Sequence, residues 1–256
     1  MAELPFVYNL AQLKQQNTVV ALGNFDGLHL GHRAVIDQML DAAGDAVPVV
    51  LKFREHPALS EGAKPFLLMS EEDCEKKLRE HGILVLTYDY SAVCFLSPEE
   101  FVEQILQEEL RAVTVSCGYN YRFGKDAAGD ADTLRSLCEQ RGIKVLVSPE
   151  VRWQGESVCS TAIRKALLRG DMETANGMLG DPYSYDYTVV LGDQRGRLLG
   201  APTINQFFPE NLLIPRYGVY ASIVQTQGKT YAAVTNIGLR PTIGHSKPRS
   251  ETYIEG

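Results

Sequence analysis

The amino-acid sequence predicts an α/β protein in which a doubly wound parallel sheet is followed by an antiparallel β-barrel or small sandwich. Three observations carry this. Short β-branched runs alternate with helical patterns up to about residue 180; helical periodicity stops near Tyr185; and short strands separated by Gly, Pro and Asn turns then continue to the last residue. A length of 256 residues accommodates two cores. The expected division is a first domain over 1–180, a linker at Asp181-Pro182-Tyr183-Ser184 and a second domain over 185–256.

The elements follow in order. Thr18-Val19-Val20-Ala21-Leu22 reads as a buried strand, and Val35, Ile36, Met39, Leu40 and Ala43 then recur at helical spacing. Val47 to Phe53 is a second strand. A charged helix runs from Ser70 to Glu80, opened by Ser70 with Asp73 in a capping-box pattern. Ile83 to Leu86 is the third strand. Ser97-Pro98-Glu99-Glu100 supplies an N-cap, a first-turn proline and a capping glutamate for a helix through Leu110. The strand Ala112 to Ser116, a helix from Ala131 to Arg141 ended by Gly142, and the strand Ile143 to Val147 complete the alternation. Beyond it, Tyr187–Leu191, Tyr217–Val224, Tyr231–Ile237 and Glu251–Ile254 are the β-rich runs.

Charge and cysteines bound the function classes. Lys+Arg 25 against Asp+Glu 32 leaves a net charge of −7, so there is no global basic field for nucleic acid or an anionic membrane. An anionic substrate must be held by a focused site. The 5 cysteines form no CxxC pair, which argues against a disulfide framework and a four-thiolate zinc site and favours a reducing cytoplasm. The N-terminus lacks a basic segment followed by an apolar stretch, and no run of about 20 apolar residues occurs.

Gly23-Asn24-Phe25-Asp26-Gly27-Leu28-His29-Leu30-Gly31-His32 connects the first strand to the first helix, at the carboxyl edge where open α/β sheets place ligands. Glycines there let the backbone approach a phosphate, and the helix start favours negative charge. His29 and His32 at this helix start can donate hydrogen bonds to phosphoryl oxygens, which suits a transition state whose charge sits on those oxygens. Two other readings stay open: half of a zinc site, and a structural turn with incidental histidines. A dinucleotide-binding turn would show G-x-G-x-x-G, and this stretch does not.

The stretch is similar to the signature of the HxGH nucleotidyltransferases, and its FDG before the first His resembles the prokaryotic bifunctional riboflavin kinase/FAD synthetase family. Other segments resemble that family in its order: Phe53-Arg54-Glu55-His56-Pro57; Gly118-Tyr119-Asn120-Tyr121-Arg122-Phe123-Gly124 with Gly129-Asp130, where many members carry Asp for Asn120; and Val158-Cys159-Ser160-Thr161-Ala162-Ile163-Arg164, with Cys159 for the first Ser of S-S-T-x-I-R. The resemblance implies a nucleotidyltransferase fold for the first domain and an ATP-dependent conversion of FMN to FAD. Gly23, Phe25, Asp26, Gly27, Gly31, Ser160, Thr161 and Arg164 would bind ATP and its phosphates; His29, His32 and Arg164 would be catalytic; His56, Asn120, Arg122 and Phe123 would contact the flavin nucleotide. Read as residues alone, Ser160 and Thr161 are also a helix cap, with Arg164 one turn on, and His56 before Pro57 is equally a strand-end turn.

In the β-rich half, Gly192-Asp193-Gln194-Arg195-Gly196-Arg197-Leu198-Leu199-Gly200-Ala201-Pro202-Thr203-Ile204-Asn205 resembles the riboflavin kinase module, with Pro-Thr-Ile-Asn in place of PTAN. The Thr203 hydroxyl and Asn205 carbonyl are hard oxygen ligands suited to Mg²⁺. Gly218-Val219-Tyr220, Asn236-Ile237-Gly238-Leu239-Arg240-Pro241-Thr242 and Ser250-Glu251-Thr252-Tyr253-Ile254 follow in the family's order, with Glu251 at the position of the base that would take the riboflavin hydroxyl proton. The sequence stops shortly after Glu251, and a barrel without closing strands leaves the expectation that FAD forms from FMN while FMN does not form from riboflavin. Another HxGH transferase, acting on phosphopantetheine or a sugar or glycerol phosphate, would not carry the PTIN and NIGLRPT elements; a non-catalytic flavin-binding or regulatory protein would be expected to have lost His29, His32 or Arg164.

Overall fold

The computed structural model describes Leu13 and residues 16–54, 66–191, 202–239 and 247–255. The chain divides into two compact units, the first comprising Met1–Pro65, Ser70–Ser160 and Met178–Gly180, the second Phe66–Met69, Thr161–Gly177 and Asp181–Gly256.

The first unit is built on five strands: β1 (Thr18–Leu22), β2 (Val47–Phe53), β3 (Leu84–Tyr88), β4 (Ala112–Gly118) and β5 (Lys144–Ser148). They lie in the order β3-β2-β1-β4-β5, and every neighbouring pair is parallel. The order reverses between β1 and β4, and a ligand crevice in such sheets opens beyond the carboxyl ends at that point. β1 is buried along its whole length because its sequence is apolar apart from Thr18, whose hydroxyl is satisfied by Leu110 O at 2.7 Å. Helix α1 (Leu30–Asp41) turns Val35, Ile36 and Met39 inward, and the buried Ser116 hydroxyl of β4 donates to Val35 O at 2.8 Å.

The expected elements are present with local shifts. Helix α2 (Glu71–Glu80) starts after Ser70, whose Oγ accepts from Asp73 N at 3.0 Å. The Asp73 carboxylate does not return a bond to the cap backbone; it accepts from the Ser70 hydroxyl at 2.7 Å. A short helix α3 (Tyr90–Val93) follows β3. The helix expected from Ser97 opens as α4 (Pro98–Glu100) with both capping-box bonds in place, then widens into a π-helix over Phe101–Glu109. An i→i+5 bond from Leu110 N to Ile105 O closes it, and this winding gathers Phe101, Val102, Ile105, Leu106 and Leu110 in the core. Helix α5 (Ala131–Glu139) is capped by Asp130, and the short strands β6 (Arg152–Trp153) and β7 (Glu156–Ser157) form a two-stranded ribbon.

In the second unit, α6 (Ser160–Arg169), from Thr161 onward, and the first part of α7 (Met172–Leu179) join the β-rich segment, whereas periodicity alone groups them with the parallel sheet. Two hydrogen bonds draw them there: Arg216 N donates to Leu167 O at 3.0 Å, and the Arg216 side chain donates from Nη1 to Arg169 O at 3.2 Å. The sheet comprises β8 (Val189–Val190), β9 (Thr203–Phe207), β10 (Gly218–Thr226), β11 (Lys229–Gly238) and β12 (Arg249–Ile254), all antiparallel, in the order β10-β11-β12-β9-β8. The β10–β11 hairpin turns through Gln227 and Gly228, both at positive φ, the backbone that matches strand twist. On one face, the Ser222, Thr235 and Thr252 hydroxyls form a chain with spacings of 2.8 and 2.9 Å, so the two threonines are buried at little cost.

Candidate active sites on the two sheets

The first site begins where β1 ends. Phe25, Gly27 and Leu28 all adopt positive φ (53°, 85° and 45°), a conformation that only glycine adopts freely. Two non-glycine residues in the left-handed region within one loop store strain that persists only where surrounding contacts enforce it. Here the Phe25 ring is 1% exposed, and Arg33 Nε donates to Leu28 O at 3.1 Å.

The loop delivers His29 to the N-cap of α1, where its Nδ1 accepts from His32 N at 3.2 Å. An imidazole thus does the work usual for Ser or Asp at that position, which leaves Nε2 as the nitrogen of His29 directed elsewhere. His32 comes back over it: the two rings stack with centroids 3.6 Å apart and planes 17° from parallel, and the Phe25 ring lies 5.3 Å from His32 on a tilted plane. The glycine between them is required by space. A Cβ on Gly31 would lie 3.2 Å from the His29 ring and 3.4 Å from Val158 O.

His32 Nδ1 is buried and has no hydrogen-bond partner. Burial first, then the neighbouring His29 and Lys52, hold the His32 imidazole well below its usual protonation range. It is therefore a neutral ring at physiological pH, and any hydrogen bond it donates to a phosphoryl oxygen comes from an uncharged N–H. Among the described residues no group of three or more His, Cys, Asp or Glu is disposed to hold a metal, so the pair gathers no further zinc ligands there.

Ser160 is the first residue of α6 rather than its cap, and its hydroxyl donates to Asp26 O of the signature loop at 3.0 Å. Thr161 and Arg164 belong to the second unit, where Arg164 Nε donates to Phe66 O at 2.8 Å. Gly23 lies at the loop entrance with the Phe25 ring 3.2 Å from where its Cβ would be, and Asp26 is 9% exposed. His56 lies outside the described residues.

The loop after β4 alternates its side chains. Asn120 and Arg122 are exposed, while Phe123 packs inward on Phe101 at 5.5 Å and on Tyr121 at 5.8 Å. Phe123 and Gly129 exchange two main-chain bonds, of 3.1 and 2.9 Å, and a Cβ on Gly129 would lie 2.5 Å from the Phe123 ring. Phe123 is thus part of the hydrophobic core, and it shapes the loop that displays Asn120 and Arg122. Arg122 reaches Asp130 at 3.8 Å; hydrogen bonds from Thr133 hold the Asp130 carboxyl below its usual range, with Arg122 adding to them.

Residue-level reading missed Lys52 and Cys74. Both are buried, at 8% and 2% exposure, and the Cys74 thiol donates to Phe25 O of the loop at 3.6 Å. The available signal was a lysine inside the otherwise apolar run VPVVLKF of a parallel strand, where a charge is unexpected.

On the second sheet, Asn205 of β9 pairs with Glu251 of β12, which in turn pairs with Asn236 of β11. Thr203 lies two residues before Asn205 and therefore on the same face. Asn205 is 5% exposed, and its Nδ2 donates to Thr203 O at 3.4 Å. Glu251 Oε1 is 3.3 Å from Arg249 Nε. A hydroxyl, an amide oxygen and a carboxylate on one face form a donor set that suits a hard divalent cation. The stretch 192–201 and residues 240–242 lie outside the described residues.

Comparison with known proteins finds matches along most of the chain. A family model described as FAD synthetase matches residues 11–162, and one described as riboflavin kinase matches residues 179–256. A Listeria monocytogenes protein named bifunctional riboflavin kinase/FMN adenylyltransferase is 36% identical over 246 residues, which cover 93% of this chain and 78% of that protein. Proteins of the same name from Bacillus subtilis (32% over 249 residues, 94% and 78% covered) and Escherichia coli K12 (30% over 256 residues, 97% and 81% covered) are also similar. A crystal structure described as a macrolide-efflux protein from Streptococcus pneumoniae matches with a TM-score of 0.82 at 29% identity, covering 93% of this chain and 80% of that one. No helix among the described residues is long and apolar enough to cross a membrane.

Proposed function

We propose, for a chain that belongs to the bifunctional riboflavin kinase/FMN adenylyltransferase family of flavin-nucleotide biosynthesis, that the loop after β1 transfers AMP from ATP to FMN. The observation that carries this is the stacked His29–His32 pair held by a strained loop at the sheet's switch point.

The chemistry asks little of a general base. An oxygen of the FMN phosphate, already ionised near neutral pH, attacks the α-phosphorus of ATP; the bond from that phosphorus to the β-bridging oxygen breaks, and pyrophosphate leaves. What the protein must supply is orientation and neutralisation of the charge gathering on phosphoryl oxygens. His29 and His32 address the α-phosphate region, His32 through a neutral N–H. Gly23, Gly27 and Gly31 let the main chain approach, and Phe25 and Asp26 hold the loop's form. Ser160, Thr161 and Arg164 serve the β- and γ-phosphates, while Asn120 and Arg122 face the flavin nucleotide, with Phe123 as their support. His56 is assigned to the same nucleotide by motif.

The register of Asn205 opposite Glu251 favours a second reaction, phosphorylation of riboflavin. Its 5′-hydroxyl oxygen attacks the γ-phosphorus of ATP, Glu251 takes the hydroxyl proton, and ADP leaves. Thr203 and Asn205 would hold Mg²⁺, which when bound neutralises charge on the ATP phosphates. We put the functional division near residue 180, where the β-rich half begins. The cytoplasm is the proposed compartment, where unpaired thiols such as those of Cys74, Cys94, Cys117, Cys138 and Cys159 persist.

The test is separation of flavins after incubating the protein with Mg-ATP and either FMN or riboflavin. FAD from FMN supports the first reading, and its absence at saturating substrates overturns it. FMN from riboflavin, abolished by Glu251→Gln, supports the second; FMN formation unaffected by that substitution overturns Glu251 as the base.

A further inference from the structure

We propose that Glu150 is a positioning residue of the adenylyl-transfer site: its carboxylate latches the β6–β7 ribbon to the loop after β4 and so holds two sides of the site at a fixed spacing. This rests on the adenylyltransferase reading above.

Each oxygen of the carboxylate serves a different segment. Oε1 accepts from the Tyr119 hydroxyl at 3.4 Å. Oε2 accepts from Arg152 Nε at 2.7 Å and lies 2.6 Å from Arg152 Nη2. The third nitrogen of that guanidinium, Nη1, donates to Gly155 O at 3.0 Å, so the whole fork is engaged. Gln154 and Gly155 make the ribbon's turn, both at positive φ. One carboxylate thus connects the root of the ribbon, and through Arg152 its tip, to Tyr119.

Both ends of this connection reach residues proposed above to meet substrate. On one side, Tyr121 N donates to Gly118 O at 3.0 Å and closes a turn whose central residues are Tyr119 and Asn120. Tyr119 N also donates to Ser148 O at 3.0 Å, which seats the turn on the carboxyl end of β5. On the other side, Val158 N donates to Val151 O at 2.9 Å and closes the base of the ribbon. Val158 O stands 3.4 Å from where a Cβ on Gly31 would lie, and two residues further on the Ser160 hydroxyl donates to Asp26 O at 3.0 Å. The ribbon therefore leads from Glu150 into contact with the histidine loop.

A ribbon of two residue pairs does not hold its own position, so something else must fix it. The latch does this without adding much stability. Arg152 and Glu150 keep 59% and 28% of their side-chain surface exposed, and ion pairs so exposed contribute little to folding. What the arrangement fixes is geometry. Adenylyl transfer joins two bound substrates, and in the reading above Asn120 serves one of them while Ser160 and the loop serve the other. Their spacing decides whether the attacking oxygen and the α-phosphorus are aligned.

Trp153, the sole tryptophan of the chain, lies in the ribbon and reports on it. Four proteins decide the matter: the full chain, Glu150→Ala, Tyr119→Phe and the double variant, each checked for a cooperative thermal transition. Two readouts are taken, acrylamide quenching of Trp153 fluorescence and the steady-state kinetics of FAD formation from FMN and Mg-ATP. Glu150→Ala is expected to increase the quenching and to lower kcat about fivefold to tenfold, with each KM changed less than about twofold. Its melting temperature should fall by no more than about 3 °C. Tyr119→Phe is expected to produce a smaller change of the same kind, and adding it to Glu150→Ala should cost nothing further, because both act through one carboxylate. If Glu150→Ala does not fold, Glu150→Gln takes its place in every measurement. A folded variant at Glu150 whose kcat matches the parent, whatever its stability, overturns the proposal, and so does full additivity in the double variant. Failure of the parent chain to make FAD counts against the adenylyltransferase reading instead, while the Trp153 quenching still decides whether Glu150 holds the ribbon.

Discussion

His29 caps the helix that carries His32 and then stacks beneath its ring, with 3.6 Å between centroids and an Nδ1 to backbone N distance of 3.2 Å. The two histidines of the motif are thus one unit. The first fixes the start of α1, and the first turn of α1 fixes the second.

Gly31→Ala tests that unit directly. The new methyl would lie 3.2 Å from the His29 ring and 3.4 Å from Val158 O, so the imidazole must shift. The expected result is a fall in kcat for FAD formation of about tenfold or more, because sub-ångström placement governs such transfers. The accompanying loss of stability should stay within about 1–3 kcal/mol, the usual range for overpacking, measured by urea unfolding.

The neutral state of His32 makes stability depend on pH. The unfolded chain takes up a proton at this residue as pH falls through its ordinary value of 6.5, while the folded chain resists until lower pH. More protons are then bound in the unfolded state, so this residue's contribution is fully present above about 6.5 and drains away as pH falls below it. Unfolding midpoints between pH 7.5 and 5 should decline, and His32→Gln should flatten that decline.

Ser116→Ala should loosen α1 from the sheet. The buried hydroxyl donates to Val35 O at 2.8 Å, in the helix that begins beside His29. Loss of a satisfied buried bond predicts about 1 kcal/mol of destabilisation by thermal or urea unfolding, with FAD formation reduced only modestly.

Tyr121→Phe should do the opposite. The Tyr121 hydroxyl is buried without a hydrogen-bond partner, and burial pushes its ionisation far up. Removing it relieves a desolvated polar group while the ring keeps its stack on Phe123, so stability should rise by up to about 1 kcal/mol. An unchanged or lower melting temperature would refute this account of the ring.

Much of the first unit was legible because its signals are local. Ser97-Pro98-Glu99-Glu100 announces a helix start from residue type alone, and both capping-box bonds form. The π-winding that follows was not legible, since it is set by how Phe101, Ile105 and Leu110 meet the core rather than by their own propensities. In the loop after β4, residue type marked Asn120, Arg122 and Phe123 together; packing then separated them, sending Phe123 inward and leaving the two polar residues outside.

By itself the sequence determined the parallel α/β half, the β-rich half and the family, because hydrophobic period, cap chemistry and spaced motifs are properties of short segments. The tertiary structure decided how those segments combine: that β1 and β4 adjoin at the switch point, that helical residues 161–177 join the second unit, that Glu251 faces Asn205, and that Cys74 meets the main chain of the histidine loop at Phe25. Each of these is a contact between segments far apart in the chain. Strand order and register fix such contacts, and a one-residue slip would turn the opposite set of side chains to the site.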